Sequence, residues 1–124
     1  MANIKLTFLV VITVLGLCFN AEMGFTQQVK SYQKTKEGIT IQLKDGLLQL
    51  KPLANNAIRV QFIKDSVQGL PELIYLPALI HTPAFTVLPN KKQLELKTTQ
   101  MKVVVDKQNG SLTFFDKKGG LLLK

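Results

Sequence analysis

The stretch Ile39-Thr-Ile-Gln-Leu-Lys-Asp-Gly-Leu-Leu-Gln-Leu-Lys51 decides the fold class of this chain. Apolar and polar residues alternate along it with a period of two, the period of a β-strand that has one buried face. Asp45-Gly46 interrupts the alternation, and this dipeptide is typical of tight hairpin turns because it tolerates positive φ angles. The stretch therefore predicts a β-hairpin that turns Ile39, Ile41 and Leu48 toward a core.

The same alternation continues to the end of the chain. Asn55-Asn56 and Asn109-Gly110 are the clearest further turns. Pro52 has no N–H to donate to a ladder, so we expect its strand to end there or to lie at an edge. The pattern predicts an all-β fold, an antiparallel β-sandwich of about eight or nine short strands. The further strands are expected at 57–64, 84–88, 93–97, 101–105, 111–115 and 121–123.

Residues 65–83 differ from the rest of the body. The segment contains Gly69, Pro71, Pro77 and Pro83 and has no clean periodicity. It is nevertheless rich in leucine and isoleucine, and residues 74–76 fit a short strand. Loops of this length are uncommon in compact domains and are often functional.

Residues 1–26 have the pattern of a signal peptide, predicted to be a helix, and 27–124 form the predicted sandwich domain. Lys5 supplies the only charge before an apolar stretch at 6–19, which is short for a membrane-spanning helix. Small residues favour cleavage after Thr26, and cleavage after Ala21 is the alternative. An uncleaved anchor also remains open.

Export to the periplasm or the extracellular space follows from this leader. Cys18 raises the alternative of a lipid anchor at the cell envelope, but Leu17 stands where a lipobox needs a small residue. The simpler interpretation is that Cys18 is one of the apolar residues of the leader. Cleavage after Thr26 would leave no cysteine, and therefore no disulfide, in the mature chain.

Composition limits the classes of function. The 124 residues include 16 Lys and Arg against 8 Asp and Glu, a net charge of +8. Arg59 is the single arginine, whereas base recognition relies on arginine, so nucleic acid is not the expected partner. Lysines such as Lys44, Lys51 and Lys97 fall at solvent-facing strand positions, where they keep sheet surfaces soluble. One His, one Cys and no Trp exclude zinc clusters and disulfide frameworks.

No catalytic, cofactor-binding or metal-binding residue is predicted, and no cofactor is expected. His81 is the single imidazole and lies in the proline-rich segment. Glu95 alternates outward, and three aspartates fall in glycine-containing turns, where Asp serves the backbone. No two of the carboxylates form the dyad that glycoside hydrolysis needs. The carboxylates after residue 26 are Glu37, Asp45, Asp65, Glu72, Glu95, Asp106 and Asp116. The aromatic rings that could be exposed as sugar-binding platforms are Tyr32, Tyr75 and Phe115, but packing is the simpler role for each of them.

Four segments occur in an order that a known domain shares. They are Gly46-Leu-Leu-Gln-Leu50, Asn56-Ala-Ile-Arg-Val-Gln-Phe62, Pro83-Ala-Phe-Thr-Val87 and Met101-Lys-Val-Val-Val-Asp-Lys-Gln-Asn-Gly-Ser-Leu-Thr-Phe-Phe-Asp116. Together they resemble the N-terminal β-sandwich of glycoside hydrolase family 31, the α-glucosidase and α-xylosidase group. The last segment is the most specific, because it follows that domain's pattern V-D-x-x-x-G-x-L-x-F-x-D. The resemblance covers about residues 30–124.

The resemblance implies a galactose-mutarotase-like sandwich that packs on a catalytic α/β barrel of the same enzyme. The family's catalytic carboxylates lie in that barrel, so none is carried over to this chain, which is not an enzyme on its own. The implied function is a non-catalytic accessory domain of an exported α-glycosidase acting on oligosaccharides. The domain is expected to be incomplete at its C-terminal end, and 65–83 is a candidate docking surface. The alternative is a free-standing carbohydrate- or protein-binding module of the cell envelope.

Overall fold

The computed structural model describes residues 27–64 and 80–124. Their regular structure consists of nine β-strands in two antiparallel sheets, with no helix among these residues. The prediction of an all-β, antiparallel fold is therefore confirmed. The strands are β1 (Val29–Lys34), β2 (Ile39–Leu43), β3 (Gly46–Ala54), β4 (Ala57–Ile63), β5 (Thr86–Pro89), β6 (Gln93–Lys97), β7 (Met101–Asp106), β8 (Leu112–Asp116) and β9 (Leu121–Leu123).

Each sheet is a meander in which neighbouring strands follow one another along the chain. The first sheet has the order β1-β2-β3-β4 and the second the order β5-β6-β7-β8-β9. Short turns link the strands within each sheet, as the alternation and the turn residues predict. Residues 65–79 lie between β4 and β5 in the chain, so they connect the two sheets.

A single hydrophobic core joins the two sheets, which gives the arrangement of a sandwich. Alternate residues of the strands face it, because successive side chains of a strand point to opposite faces. Ile41, Leu94 and Leu96 are fully buried at its centre. The buried cluster consists of Ile39, Ile41, Leu43, Leu48 and Leu50 from the first sheet and Leu94, Leu96, Val103 and Val105 from the second.

Thr98 connects the two sheets through its hydroxyl group. The residue follows β6 and is 4% exposed. Its Oγ1 donates to the backbone oxygen of Asn55, in the turn after β3, at 2.5 Å. The same oxygen accepts from the backbone N–H of Met101 at 3.1 Å, which closes the β6–β7 turn. One buried side chain thus fixes a turn of each sheet to the other.

Replacing Thr98 by valine is expected to lower the free energy of unfolding by about 2 kcal/mol. Valine keeps the shape of the side chain but leaves the Asn55 oxygen and the Met101 N–H without their partner. Urea denaturation measures the change, with Thr99→Val as the control, since Thr99 is the exposed neighbour. Equal stability of the two variants would show that the Thr98 hydroxyl does not hold the sheets together.

The first hairpin turns one residue earlier than its sequence predicts. Lys44 and Asp45 form the two-residue turn, and Gly46 already pairs with Leu43 as the first residue of β3. The described glycines with a positive φ are Gly110 and Gly119, not Gly46. A Cβ at Gly46 would lie 2.5 Å from the backbone oxygen of Ile63, so glycine is needed there for close approach to β4.

Pro52 does not end its strand. The strand β3 continues to Ala54, with an irregularity in its pairing to β4 between Pro52 and Ala54. Leu50 is the last residue of β3 that pairs with β2, so at Pro52 the strand has β4 as its only neighbour in the sheet. A residue without an N–H therefore costs the β2–β3 ladder nothing.

One strand was not predicted, several strand boundaries differ from those predicted, and several expectations fall outside the described residues. The alternation gave no indication of β1, an edge strand whose residues after Val29 are polar or aromatic and exposed. The strand expected at 84–88 is found at Thr86–Pro89. The signal helix and cleavage site at 1–26 and the short strand at 74–76 lie outside the described residues. The described residues contain no helix that is long and apolar enough to cross a membrane.

Candidate functional site

Two of the three turn aspartates, Asp106 and Asp116, accept hydrogen bonds from the backbone, as their glycine-containing turns predict, whereas Asp45 accepts from a side chain. Asp106 Oδ1 accepts from the N–H of Gln108 at 2.7 Å and from that of Asn109 at 3.3 Å. Asp116 Oδ1 accepts from the N–H of Lys118 and of Gly120, both at 2.8 Å. These carboxylates shape the β7–β8 and β8–β9 turns.

The remaining described carboxylates have separate partners. Glu37 pairs with Lys51 at 2.6 Å, and Glu95 lies 3.9 Å from Lys102 Nζ on the outer face of the second sheet. Asp45 Oδ2 accepts from Gln27 Nε2 at 3.0 Å. Asp65 and Glu72 lie outside the described residues. The structure therefore brings no two of the five described carboxylates onto a common partner.

His81 is exposed in the irregular segment before β5. Among residues 27–64 and 80–124, no three His, Cys, Asp or Glu side chains are grouped so that they could hold a metal ion. The aromatic candidates lie beneath lysines: Lys107 Nζ is 5.8 Å from the ring centre of Tyr32, and Lys102 Nζ is 4.9 Å from that of Phe115. Cation–π contacts of this kind occupy one face of each ring. Tyr75 lies outside the described residues.

The strand β4 has an inverted pattern of exposure. Val60 pairs with Leu50 and Phe62 pairs with Leu48, so both side chains lie on the face that belongs to the core. They are nevertheless 41% and 47% exposed. The three residues of β9, Leu121, Leu122 and Leu123, are 57–63% exposed. We call Val60, Phe62 and Leu121–Leu123 the open edge.

Contacts between the sheets link β1 with two parts of the second sheet. Lys34 of β1 lies over the Phe85 ring, next to β5, with its Nζ 5.2 Å from the ring centre. The N–H of Val29, at the start of β1, donates to the backbone oxygen of Lys107, after β7. Apolar surface that continues a core and is exposed, as at Val60 and Phe62, is typical of a contact site.

The outer face of the first sheet carries a row of uncharged polar side chains, next to which Lys51 pairs with Arg59 in the strand register. Gln33 pairs with Thr40, Thr40 with Gln49, and Gln49 with Gln61, so one row crosses all four strands. We call these four side chains the polar row. A second row contains Gln42, Leu47 and Ile63. The outer face of the second sheet also carries charged residues, including Glu95, Lys97 and Lys102.

Two shallow depressions flank the polar row. One, of about 390 Å³, is lined by Thr40, Gln49, Lys51 and the loop residues Glu37 and Gly38, among others. The other, of about 530 Å³, lies at the opposite end of β2 and β3, next to the Lys44-Asp45 turn.

Comparisons of the chain with protein-family models, curated proteins and solved structures found no match. The candidate surfaces therefore depend on the geometry described above. Sequence reasoning singled out Leu121–Leu123 as an unpaired strand, but it did not single out Val60, Phe62 or the polar row. The alternation placed Gln49 and Gln61 on outward faces, but only the strand register shows that they are neighbours.

Proposed function

We propose that this sandwich is a non-catalytic accessory domain of an exported α-glycosidase, and that it supports the catalytic α/β barrel of the same enzyme. The observation that carries the proposal is the open edge. Val60 and Phe62 are aligned with the core and yet remain exposed, as expected where a further domain covers the sandwich. Burial of such side chains contributes about 25 cal/mol per Å² to a domain contact.

The resemblance to family 31 supports the choice of partner. Its four segments lie on β3, on the turn and strand of β4, on the approach to β5, and on the β7–β8 hairpin. The galactose-mutarotase-like topology and the oligosaccharide substrate of the complete enzyme belong to this proposal. The described carboxylates are engaged in turns and ion pairs, so hydrolysis is assigned to the barrel.

The coding sequence downstream of Lys124 tests the proposal. An α/β barrel with its pair of catalytic carboxylates in the same reading frame is the expected result. A stop codon directly after Lys124, together with a folded monomer that binds oligosaccharide or an envelope protein, would favour the second function. That function is a free-standing binding module, and the polar row on the outer face of the first sheet is the observation that favours it.

The 124-residue chain on its own is expected to self-associate through the open edge. Replacing Val60 and Phe62 together by threonine should keep the chain monomeric at concentrations where the parent chain associates. Threonine is well tolerated in strands, so the fold should be kept, while the exposed apolar surface is reduced. Sedimentation velocity measures the difference. The matched control is Leu88→Thr, which alters a leucine that is 54% exposed on the other sheet. A parent chain that unfolds reversibly as a monomer would contradict the expectation.

A further inference from the structure

The edge strands of the two sheets differ in what protects them from pairing. Within the described residues, these strands are β1, β4, β5 and β9. An edge strand presents unpaired N–H and C=O groups, and a charged residue or a proline on it discourages pairing with another chain. The strand β1 carries Lys30 and Lys34, β4 carries Arg59, and β5 ends with Pro89. The strand β9 consists of three leucines, so it is the edge without such protection.

The side chains of β9 are also left uncovered by its own sheet. Leu121, Leu122 and Leu123 are 62%, 57% and 63% exposed. The strand pairs with β8 on one side, where Leu123 lies opposite Phe114 and Leu121 opposite Phe115. A strand on the other side would extend the ladder and would bring further apolar side chains against the leucines. The chemistry of this edge therefore fits an extended, apolar strand.

The two ends of β9 carry opposite charges. Asp116 Oδ1 accepts from the N–H of Gly120 at 2.8 Å, whereas no donor from the described part of the chain lies within hydrogen-bonding distance of Oδ2. A Cβ at Gly120 would lie 2.7 Å from Oδ2, so the carboxylate occupies the side of the strand to which a side chain at position 120 would point. Lys124 follows β9 at its other end. A partner strand is therefore matched when its own charges run in the opposite direction.

A second copy of β9 meets these requirements in one register. When two such strands run antiparallel with Leu122 opposite its own copy, the flanking leucines face each other and Gly120 lies opposite Lys124. Residues that lie opposite each other project to the same face of a sheet. Lys124 of each copy is thus placed on the same face as the Asp116 carboxylate of the other copy, and next to it. The arrangement has two-fold symmetry, so it closes at two chains.

Two lysines of the β8–β9 turn limit the electrostatic part of this contact. Lys117 and Lys118 follow Asp116 directly in the chain, so the charge around that carboxylate is not negative overall. An exposed ion pair changes an affinity about two- to fivefold, and the leucines and the backbone groups supply the rest. Since three residues of each chain bury far less area than a standard interface, we expect a weak dimer. It should form at higher protein concentration than the association through Val60 and Phe62.

We propose that β9 is a dimerisation edge, at which two copies of this chain pair antiparallel with Leu122 on the two-fold axis and Lys124 of each copy beside Asp116 of the other. The two five-stranded sheets then join into one. The inference goes beyond the proposed function and does not rest on it. Val60 and Phe62, which carry that function, belong to the first sheet and remain available to a barrel.

Disulfide cross-linking of single-cysteine variants tests the register in the full chain. Cys18→Ser first removes the single native thiol. With oxidised glutathione, Leu122→Cys should then form a covalent dimer, because opposite residues of antiparallel strands have Cα atoms about 4.5–5.5 Å apart, within the range of a disulfide. Leu121→Cys is the matched control on the same strand. Its two copies would lie diagonally, about 7–8 Å apart, so it should cross-link about tenfold more slowly.

A mixture of two variants makes the same test positive. Leu121→Cys and Leu123→Cys should cross-link with each other, because these positions are opposite in the dimer, and each should cross-link poorly alone. If Leu122→Cys remains monomeric, β9 does not pair with a second copy. If all three variants cross-link at one rate, the leucines collide without a fixed register. Either result overturns the proposal.

The affinity of the dimer gives an independent measurement. Sedimentation equilibrium is carried out on the chain with Val60→Thr and Phe62→Thr, in which association through the first sheet is reduced. Leu122→Lys should weaken the dimer about tenfold, because it replaces the central apolar contact by two like charges that lie opposite each other. Leu88→Lys, at an exposed leucine of β5, is the control and should have no effect. Equal dissociation constants for the two lysine variants would refute the role of β9.

The choice of a second copy as the partner is tested at Asp116. Asp116→Asn keeps the Oδ1 acceptor for Gly120 and removes the charge, so it should slow the cross-linking of Leu122→Cys about two- to fivefold. Asp106→Asn is the control, since Asp106 accepts two backbone N–H groups in the β7–β8 turn in the same way. Equal rates for the two asparagine variants would overturn the pairing of Lys124 with Asp116, on which the choice of a second copy depends.

Discussion

Replacing Leu96 by alanine is expected to lower the free energy of unfolding by about 3 kcal/mol, because the change opens a cavity at the centre of the core. Leu96 is fully buried and pairs with Val87 on one side and with Val103 on the other. Its cluster also contains the buried residues of the first sheet, including Ile41. The melting temperature should fall by about 15 °C, measured by circular dichroism on heating.

Leu88→Ala is the matched control for this substitution. Leu88 lies next to Val87 on β5, but it is 54% exposed on the outer face. The same loss of three carbon atoms should therefore cost about 1 kcal/mol or less. If Leu88→Ala lost as much stability as Leu96→Ala, or more, the faces that β5 and β6 turn toward the core would be the opposite of those described above. Such a result would contradict the register of the second sheet.

The sequence was sufficient to predict the core, because burial in a two-layer fold repeats the alternation of the strands. Ile39, Ile41 and Leu48 were expected to face inward, and all three are buried. Asn109-Gly110 was expected to be a turn, and Gly110 has a φ of 72°. In both cases the cause is local: the residue's own side chain, or its own backbone freedom, determines the outcome.

The features that were not predicted depend on contacts between segments distant in the chain. Val60 and Phe62 alternate as core residues do, and yet both are exposed. Gly46 was expected to provide a positive φ, but it is needed because the backbone of Ile63 comes close. The polar row likewise requires the register of four strands, which no single strand encodes.

The strand β1 shows a further limit of pattern reading. Its exposed residues have no apolar alternation, and it is joined to the body by pairing with β2 and by a backbone hydrogen bond from Val29 to Lys107. Lysines on such an edge strand discourage pairing with other chains. The apolar pattern therefore did not indicate a strand here, whereas the hydrogen bonds to β2 make it one.

Replacing Gly38 by alanine is expected to destabilise the fold by about 3 kcal/mol, near the upper end for overpacking. Gly38 is buried at the end of the β1–β2 loop, where its backbone oxygen accepts from the N–H of Thr35 at 2.8 Å. A Cβ there would clash with the backbone oxygen of Leu50 and would lie 3.0 Å from Lys51 Cα. Since both obstacles are backbone atoms of a central strand, no side-chain rotation relieves them, and the loop or β3 must move.

Gly119→Ala separates this steric effect from the general cost of replacing a glycine. Gly119 has a φ of 87° but no atom within 4 Å of the position a Cβ would occupy. Its substitution should therefore cost only the left-handed backbone strain, about 1–2 kcal/mol. Urea denaturation of both variants should show the larger loss for Gly38, because a clash within the sheet adds to the conformational term. Equal losses would mean that the β1–β2 loop can lift away from β3 without cost. In that case the wall of the depression lined by Gly38, Thr40 and Gln49 would be movable.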